Sequence, residues 1–229
     1  MADSAPLPVI AIDGPGGAGK GTVCRRVAEK LGWHLLDSGS LYRITAYAAA
    51  QRGIALSDSE SVAAIARALD VRFVDGAEDV LVIFEESDIT NLIRTEKAGE
   101  AASVVAALPV VRDALIDRQR GFAQSPGLVA DGRDMGSVVF PSAGLKVFLT
   151  ASVEERARRR YKQLKDKEMD VSLPALTKDM EERDRRDSQR SVAPLLACED
   201  ARVLDSTQLA IPQVVDLVIS WAREVYDFI

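Results

Sequence analysis

The chain has 229 residues, 47% apolar and 28% charged, a balance that supports a buried core and excludes an intrinsically disordered protein. Its 29 basic residues against 35 acidic ones leave a net charge of −6, and aromatics make up 5%, so neither a basic nucleic-acid-coating surface nor a stacking platform is expected. Arginine supplies 21 of the basic residues; its planar fork matches phosphate oxygens and points to small phosphorylated ligands, although a coding bias would give the same count.

Val9-Ile10-Ala11-Ile12 is a short apolar run stopping at Asp13-Gly14, the pattern of a buried strand that ends in a loop. Val23, Cys24, Val27, Ala28 and Leu31 then recur at helical spacing, with Arg25, Arg26, Glu29 and Lys30 on the other face and Gly32 closing the helix. His34-Leu35-Leu36, before Asp37-Ser38-Gly39, reads as a second buried strand, and its histidine, the only one in the chain, reads as structural. Leu128-Val129-Ala130 before Asp131-Gly132, Val147-Phe148-Leu149 before Thr150, and Val203-Leu204 before Asp205-Ser206 bring the set to five strands. Short buried strands alternating with helices predict an α/β fold with a parallel sheet covered on both faces, whose ligands bind at the carboxyl ends of the strands. Asp13, Asp37 and Asp131 stand at those ends.

Two stretches do not fit the sheet. Residues 41–108 open with a helix-like segment, followed by Val71-Arg72-Phe73-Val74, a turn at Asp75-Gly76, and Val80-Leu81-Val82-Ile83-Phe84, a hairpin signal that predicts a small antiparallel sheet of its own. Residues 152–190 open with Ser152-Val153-Glu154-Glu155, the spacing of a capping box. Arg156, Arg158, Arg159, Arg160, Lys162, Lys165 and Lys167 follow, with only Asp166 between them. The expected organisation is therefore a core of residues 1–40, 109–151 and 191–229, an insertion at 41–108 and a further region at 152–190.

Cys24 and Cys198 form neither a disulfide framework nor a zinc pattern and are expected to be buried thiols in a reducing compartment. Residues 1–8 lack the cationic start and apolar run of a signal peptide, and no apolar run reaches the ~18 residues of a membrane span. The expected setting is the cytoplasm, without membrane contact.

Between the first strand and the first helix lies Gly14-Pro15-Gly16-Gly17-Ala18-Gly19-Lys20-Gly21-Thr22, with the G-x-x-x-x-G-K spacing of a P-loop. Backbone N–H groups that all turn inward need glycines, since side chains would block the approach of phosphate and several torsions are unusual. The helix that follows offers unpaired donors and its positive dipole end, and Lys20 adds a point charge. Gly21 occupies the position where Ser or Thr would contact magnesium, and this G-K-G-T variant resembles the nucleoside monophosphate kinase branch of P-loop proteins. A glycine-rich turn without ligand is the plain alternative. The basic helix can close over a transferring phosphoryl group, with Arg159 and Arg160 as the catalytic candidates; a solvated, salt-bridged surface helix is its alternative. His34, read as structural, is not expected to serve as a general base. A phosphate monoester acceptor, largely dianionic near neutral pH, needs none, whereas a hydroxyl acceptor would.

Further residues carry a specific resemblance. Gly14 to Thr22, Leu35-Leu36-Asp37-Ser38-Gly39-Ser40-Leu41-Tyr42-Arg43, Ala101-Ala102-Ser103 with Val110-Val111-Arg112, Ala130-Asp131-Gly132-Arg133-Asp134-Met135-Gly136, and Glu182-Arg183-Asp184-Arg185-Arg186-Asp187 together resemble the bacterial cytidylate kinase family over nearly the whole chain. The resemblance implies a P-loop kinase fold of five-stranded core, monophosphate-binding insertion and helical lid. It also implies transfer from ATP to CMP or dCMP with Mg²⁺, and a monomer. By position, Arg43, Arg133 and Arg190 would hold the acceptor phosphate, each with a structural salt bridge as its alternative. Ser103, Arg112 and Asp134 would read the cytosine edge, where a carboxylate accepts from the exocyclic amine and would be repelled by a uracil carbonyl. Arg183 and Asp187 would meet the ribose hydroxyls, with Ser38 and Tyr42 lining the same pocket. Lys20 and Arg133 would act in catalysis, and Gly14 through Thr22 would cradle ATP. Asp131 is the candidate for magnesium through water, with Asp13 and Asp37 weaker; strand-end turn chemistry is the alternative for all three. The competing functional readings are a kinase of UMP or AMP, a kinase of a hydroxyl-bearing small molecule such as shikimate, and a non-catalytic nucleotide-binding module.

Overall fold

The computed structural model describes residues 7–75, 80–166 and 168–227. Along the chain these form β1 (Val9–Asp13), α1 (Lys20–Leu31), β2 (His34–Asp37), α2 (Ser38–Gln51) and α3 (Ser59–Arg67). Then come β3 (Val71–Asp75), β4 (Val80–Phe84), β5 (Ser87–Asp88), α4 (Glu96–Val105), α5 (Pro109–Arg120) and β6 (Leu128–Gly132). The remainder is β7 (Leu145–Thr150), α6 (Val153–Lys165), α7 (Leu173–Ser188), β8 (Arg202–Asp205) and α8 (Ile211–Val225). The chain divides into two compact units, Met1–Asp37 with Gln119–Ile229, and Ser38–Arg118.

The first unit is built on a parallel sheet in the order β2-β6-β1-β7-β8, so all five apolar runs became strands of one sheet. β1 lies at its centre with every residue buried, in register from Val9 opposite Leu128 to Asp13 opposite Gly132 on β6. Val23, Cys24 and Val27 of α1 join Val214, Val215 and Val218 of α8 in a cluster against Ile10 and Ile12. That burial anchors α1 and so sets the direction of its amino end, where the glycine-rich loop enters. The outer strands depart from expectation. β2 and β8 are edge strands, where cover is incomplete: His34 is exposed and Val203 is 62% exposed. Cys24 is buried as expected, but Cys198, in the irregular run before β8, is only half-buried.

The second unit pairs helices with a small antiparallel sheet in the order β3-β4-β5. The expected hairpin is present, from Val71 opposite Phe84 to Asp75 opposite Val80. Asp75 is the last residue of β3, while Gly76, the other residue of the expected turn, lies outside the described residues, as does Lys167 of the basic run. β5 was not anticipated: two polar residues give no apolar pattern, and the strand exists only because Ile83 and Phe84 offer it an edge.

The first glycine of the loop is a packing requirement. Gly14 has φ +148, and a Cβ there would stand 2.0 Å from the Leu149 carbonyl oxygen of β7. Gly14→Ala is expected to lower stability by about 2 kcal/mol, read as a fall in the urea midpoint with unchanged slope.

Candidate active site

Gly17 and Gly19 take left-handed backbone conformations, φ +79 and +89, which turn the loop into the first residue of α1, Lys20. No acidic side chain lies in the first turn of α1, leaving its amino-terminal N–H donors and dipole available to an anion. The Lys20 side chain is buried and folds back: its Nζ donates to the Pro15 carbonyl at 2.9 Å and lies 4.0 Å from Asp131 Oδ1. Burial first, and then the guanidinium of Arg133, lowers its pKa to about 8, with Asp131 opposing the fall.

Arginines converge on this loop from three directions. A Cβ at Gly16 would stand 3.4 Å from Arg133 Nη2 and 3.6 Å from Arg183 Nη1, so both guanidiniums border the loop. Arg133 Nε donates to Asp187 Oδ2 at 3.0 Å, and Arg190 Nε donates to the Asp187 carbonyl at 3.2 Å. Burial works against a charge on Asp187, yet Arg133, Arg190 and Arg183 together hold its carboxyl below the ordinary range. Lys20, Asp131, Arg133, Arg183, Asp187 and Arg190 are thus brought together at the carboxyl ends of β1 and β6.

α6 begins at Ser152, whose hydroxyl accepts from the Glu155 amide at 3.2 Å, but only half of the expected capping box forms. The Ser152 amide donates instead to Thr207 Oγ1, and the Glu155 carboxylate turns to Arg158 and Arg159. Arg159 also donates to the Ser206 carbonyl at 2.6 Å, which ties α6 to the turn after β8, while Arg160 bonds Gln163 on its own helix. The residue of this helix that meets the P-loop is Arg156. It is buried, donates to the Gly16 carbonyl at 2.9 Å and the Ala151 carbonyl at 3.0 Å, and pairs with Asp184 of α7. Arg156 was only one cation among seven in the sequence; the signal that separates it is its neighbour Ala157, since Arg156, Ala157 and Leu164 form the buried face of α6.

Beyond β6, Asp134 is 3% exposed and its carbonyl accepts from the amides of Val138 and Val139, opening a π-helical turn at Met135–Val139. Asp13 does not face the loop as an open ligand. Its two carboxylate oxygens accept from the amides of Met135 and Gly136, each at 2.8 Å. Burial is the main cause that raises its pKa to about 6, against the lowering effect of those two hydrogen bonds. Asp37 ends β2 in register with Asp131.

In the second unit, α2 carries Ser38, Tyr42 and Arg43, and packs against α4, which carries Ser103. Ser38, Tyr42, Ser103 and Arg112 are buried and Arg43 is half-buried. The Arg112 guanidinium, from α5, sits 5.9 Å from the centroid of the Tyr42 ring and donates to the Ala106 carbonyl at 3.3 Å.

The sequence matches the family model for cytidylate kinase over residues 10–224. The cytidylate kinase of Pseudomonas aeruginosa (strain LESB58) is 58% identical over 215 residues, covering 93% of this chain and 94% of that protein. Those of Aeromonas salmonicida (strain A449) and Methylococcus capsulatus (strain Bath) are 54% and 55% identical, covering 95% and 93% of this chain and 94% and 96% of theirs. The chain belongs to the cytidylate kinase family.

The depressed pKa of Lys20 has a consequence for stability. The folded chain gives up the Lys20 proton near pH 8, whereas the unfolded chain keeps it to about 10.5. Between those values the unfolded state binds more protons, so the Lys20 contribution makes folding more favourable as pH rises. Relative to Lys20→Met, the wild type is expected to gain about 3 kcal/mol from pH 8 to pH 10.5, measured by urea unfolding of both proteins across that range.

Proposed function

We propose that this protein transfers the terminal phosphoryl group of ATP to CMP, and to dCMP, giving ADP with CDP or dCDP. Family membership supports the reaction, and one observation carries the chemistry: Lys20, Arg133 and Arg183 are cations beside the glycine-rich loop, with Arg190 held to Asp187 next to Arg133. Two polyanions repel each other, and fixed positive charge in a site of low dielectric is the means of holding them together. The acceptor phosphate is its own nucleophile. His34, at the amino end of β2 and so at the end of the sheet away from the loop, has no part to play.

Gly14 through Thr22 form the ATP cradle, and Lys20 leaves the Pro15 carbonyl for the outer phosphates. Arg159 and Arg160, with the helical lid of residues 152–190, neutralise charge on the transferring group. Arg43, Arg133 and Arg190 hold the acceptor phosphate. Ser103, Arg112 and Asp134 read the base, Arg183 and Asp187 the ribose, and Ser38 and Tyr42 line the pocket. Arg133 exchanges its bond to Asp187 for the incoming phosphate, so the carboxylate serves the arginines until the substrate arrives.

Magnesium fits this donor set. Asp131 Oδ2 lies 3.5 Å from where a Gly21 Cβ would stand, beside the start of α1, and one carboxylate with substrate phosphates and water is the common environment of this ion. Asp131 would hold it through water, and the ion would supply charge neutralisation on the phosphates. No described helix is long and apolar enough to cross a membrane. The reading places the protein in the cytoplasm as a monomer, where its free thiols remain reduced.

Coupled ADP production with CMP, dCMP, UMP and AMP tests the reaction. CMP and dCMP are expected to be the preferred acceptors, and a preference for UMP or AMP would overturn the substrate while keeping the kinase. Binding of ATP without binding of CMP by calorimetry would favour a nucleotide-dependent binding module instead. Asp134→Ala is expected to lower the CMP-over-UMP ratio of kcat/KM by about 10²-fold. Lys20→Ala is expected to bind ATP yet lose about 10³-fold in kcat, and a near-wild-type rate would remove Lys20 from the catalytic residues.

A further inference from the structure

The mechanism above gives Asp13 no substrate to touch, although it is the one charged residue of the buried central strand β1. Its backbone lies opposite Gly132 in the register of β1 and β6. Its carboxylate takes the amides of Met135 and Gly136, both at 2.8 Å. The short segment is therefore fixed at both ends, by the pairing of β1 with β6 before Arg133 and by the Asp13 carboxylate after Asp134. The grip is tight: a Cβ on Gly136 would stand 3.4 Å from Asp13 Oδ2 and 3.1 Å from Lys146 Cδ, so glycine lets the amide reach the carboxylate. Asp134 carries on from the clamp, since its carbonyl accepts the Val138 amide at 2.9 Å. Gly14, the next residue, begins the P-loop.

We propose that Asp13 is a positioning residue for the acceptor nucleotide, holding the 132–136 segment so that Arg133 and Asp134 present their side chains at a fixed distance from the P-loop. The proposal deepens the functional reading above and rests on the roles given there to Arg133 and Asp134. A carboxylate suits the task because both oxygens accept; an asparagine at the same place would accept from one amide and turn its own N–H₂ towards the other. The displaced segment would carry the base and phosphate contacts with it, whereas the ATP cradle, held by the backbone of β1 and α1, would stay in place.

The test is Asp13→Asn, assayed beside Asp134→Ala and wild type. Asp13→Asn is expected to lose about 10²-fold in kcat/KM for CMP and to discriminate less between CMP and UMP, with ATP affinity by calorimetry unchanged. Unchanged CMP kinetics and discrimination in a folded Asp13→Asn protein would overturn the proposal, and so would an equal loss of ATP affinity, which would mark a general weakening of the fold. Hydrogen exchange in the wild-type protein adds a readout that needs no variant. The Met135 and Gly136 amides are expected to exchange as slowly as those of β1, and rapid exchange would overturn the clamp. If Asp134→Ala keeps its discrimination, base reading by Asp134 fails; the clamp is then judged on amide exchange and on the CMP kinetics of Asp13→Asn, which also report Arg133.

Discussion

Like charges held close together out of water govern this site. Lys20 is buried beside Arg133, with Arg183 adding to the same field, and the cost is visible in the depressed pKa of the lysine. Such crowding survives folding because carboxylates are interleaved with the cations: Asp131 near Lys20, Asp187 against Arg133, and Asp184 against Arg156. These pairs satisfy the cations without occupying the loop. In a phosphoryl-transfer site the arrangement is productive, since the charge is set before substrate arrives and needs no reorganisation during the reaction.

The secondary structure around the loop distributes that charge among elements able to hold it. The parallel sheet brings the ends of β1 and β6 side by side, so that the loop after one and the Arg133–Asp134 segment after the other share one region. α7 supplies Asp184 and Asp187 three residues apart, close enough on a helix to face the same side, and each engages a different arginine. α6 contributes Arg156 to the floor of the loop and Arg159 to the turn after β8. A basic helix that looked uniform as a string is therefore divided by function: one cation buried, one bridging two elements, and others, such as Arg158 and Lys165, paired at the surface.

Asp13 and Asp131 illustrate how two aspartates with the same sequence context come to differ. Both precede glycine, Asp13 as the last residue of β1 and Asp131 as the residue before the last of β6. Asp13 is on the central strand, where burial and two backbone donors absorb its carboxylate; Asp131, on the neighbouring strand, faces Lys20 and the start of α1. In the shared register Asp131 stands opposite Ile12 and Asp13 opposite Gly132, so the one-residue offset turns the two carboxylates to opposite faces of the sheet and gives them different neighbours.

The chain by itself determined the strand runs, the P-loop with its lysine and the hairpin, because each is a local pattern of periodicity or spacing imposed by backbone geometry, and the motifs spread along it carried the family resemblance. Tertiary structure alone decided which strands lie at the edges, leaving His34 and Val203 exposed, and why Ser87–Asp88 is a strand at all. It alone selected Arg156 rather than Arg159 or Arg160 to meet Gly16, and gave Asp13 to the amides of Met135 and Gly136. The physical reason is that these outcomes depend on a partner more than a hundred residues away, on an edge offered for pairing, or on what covers a face, none of which a string of residues carries.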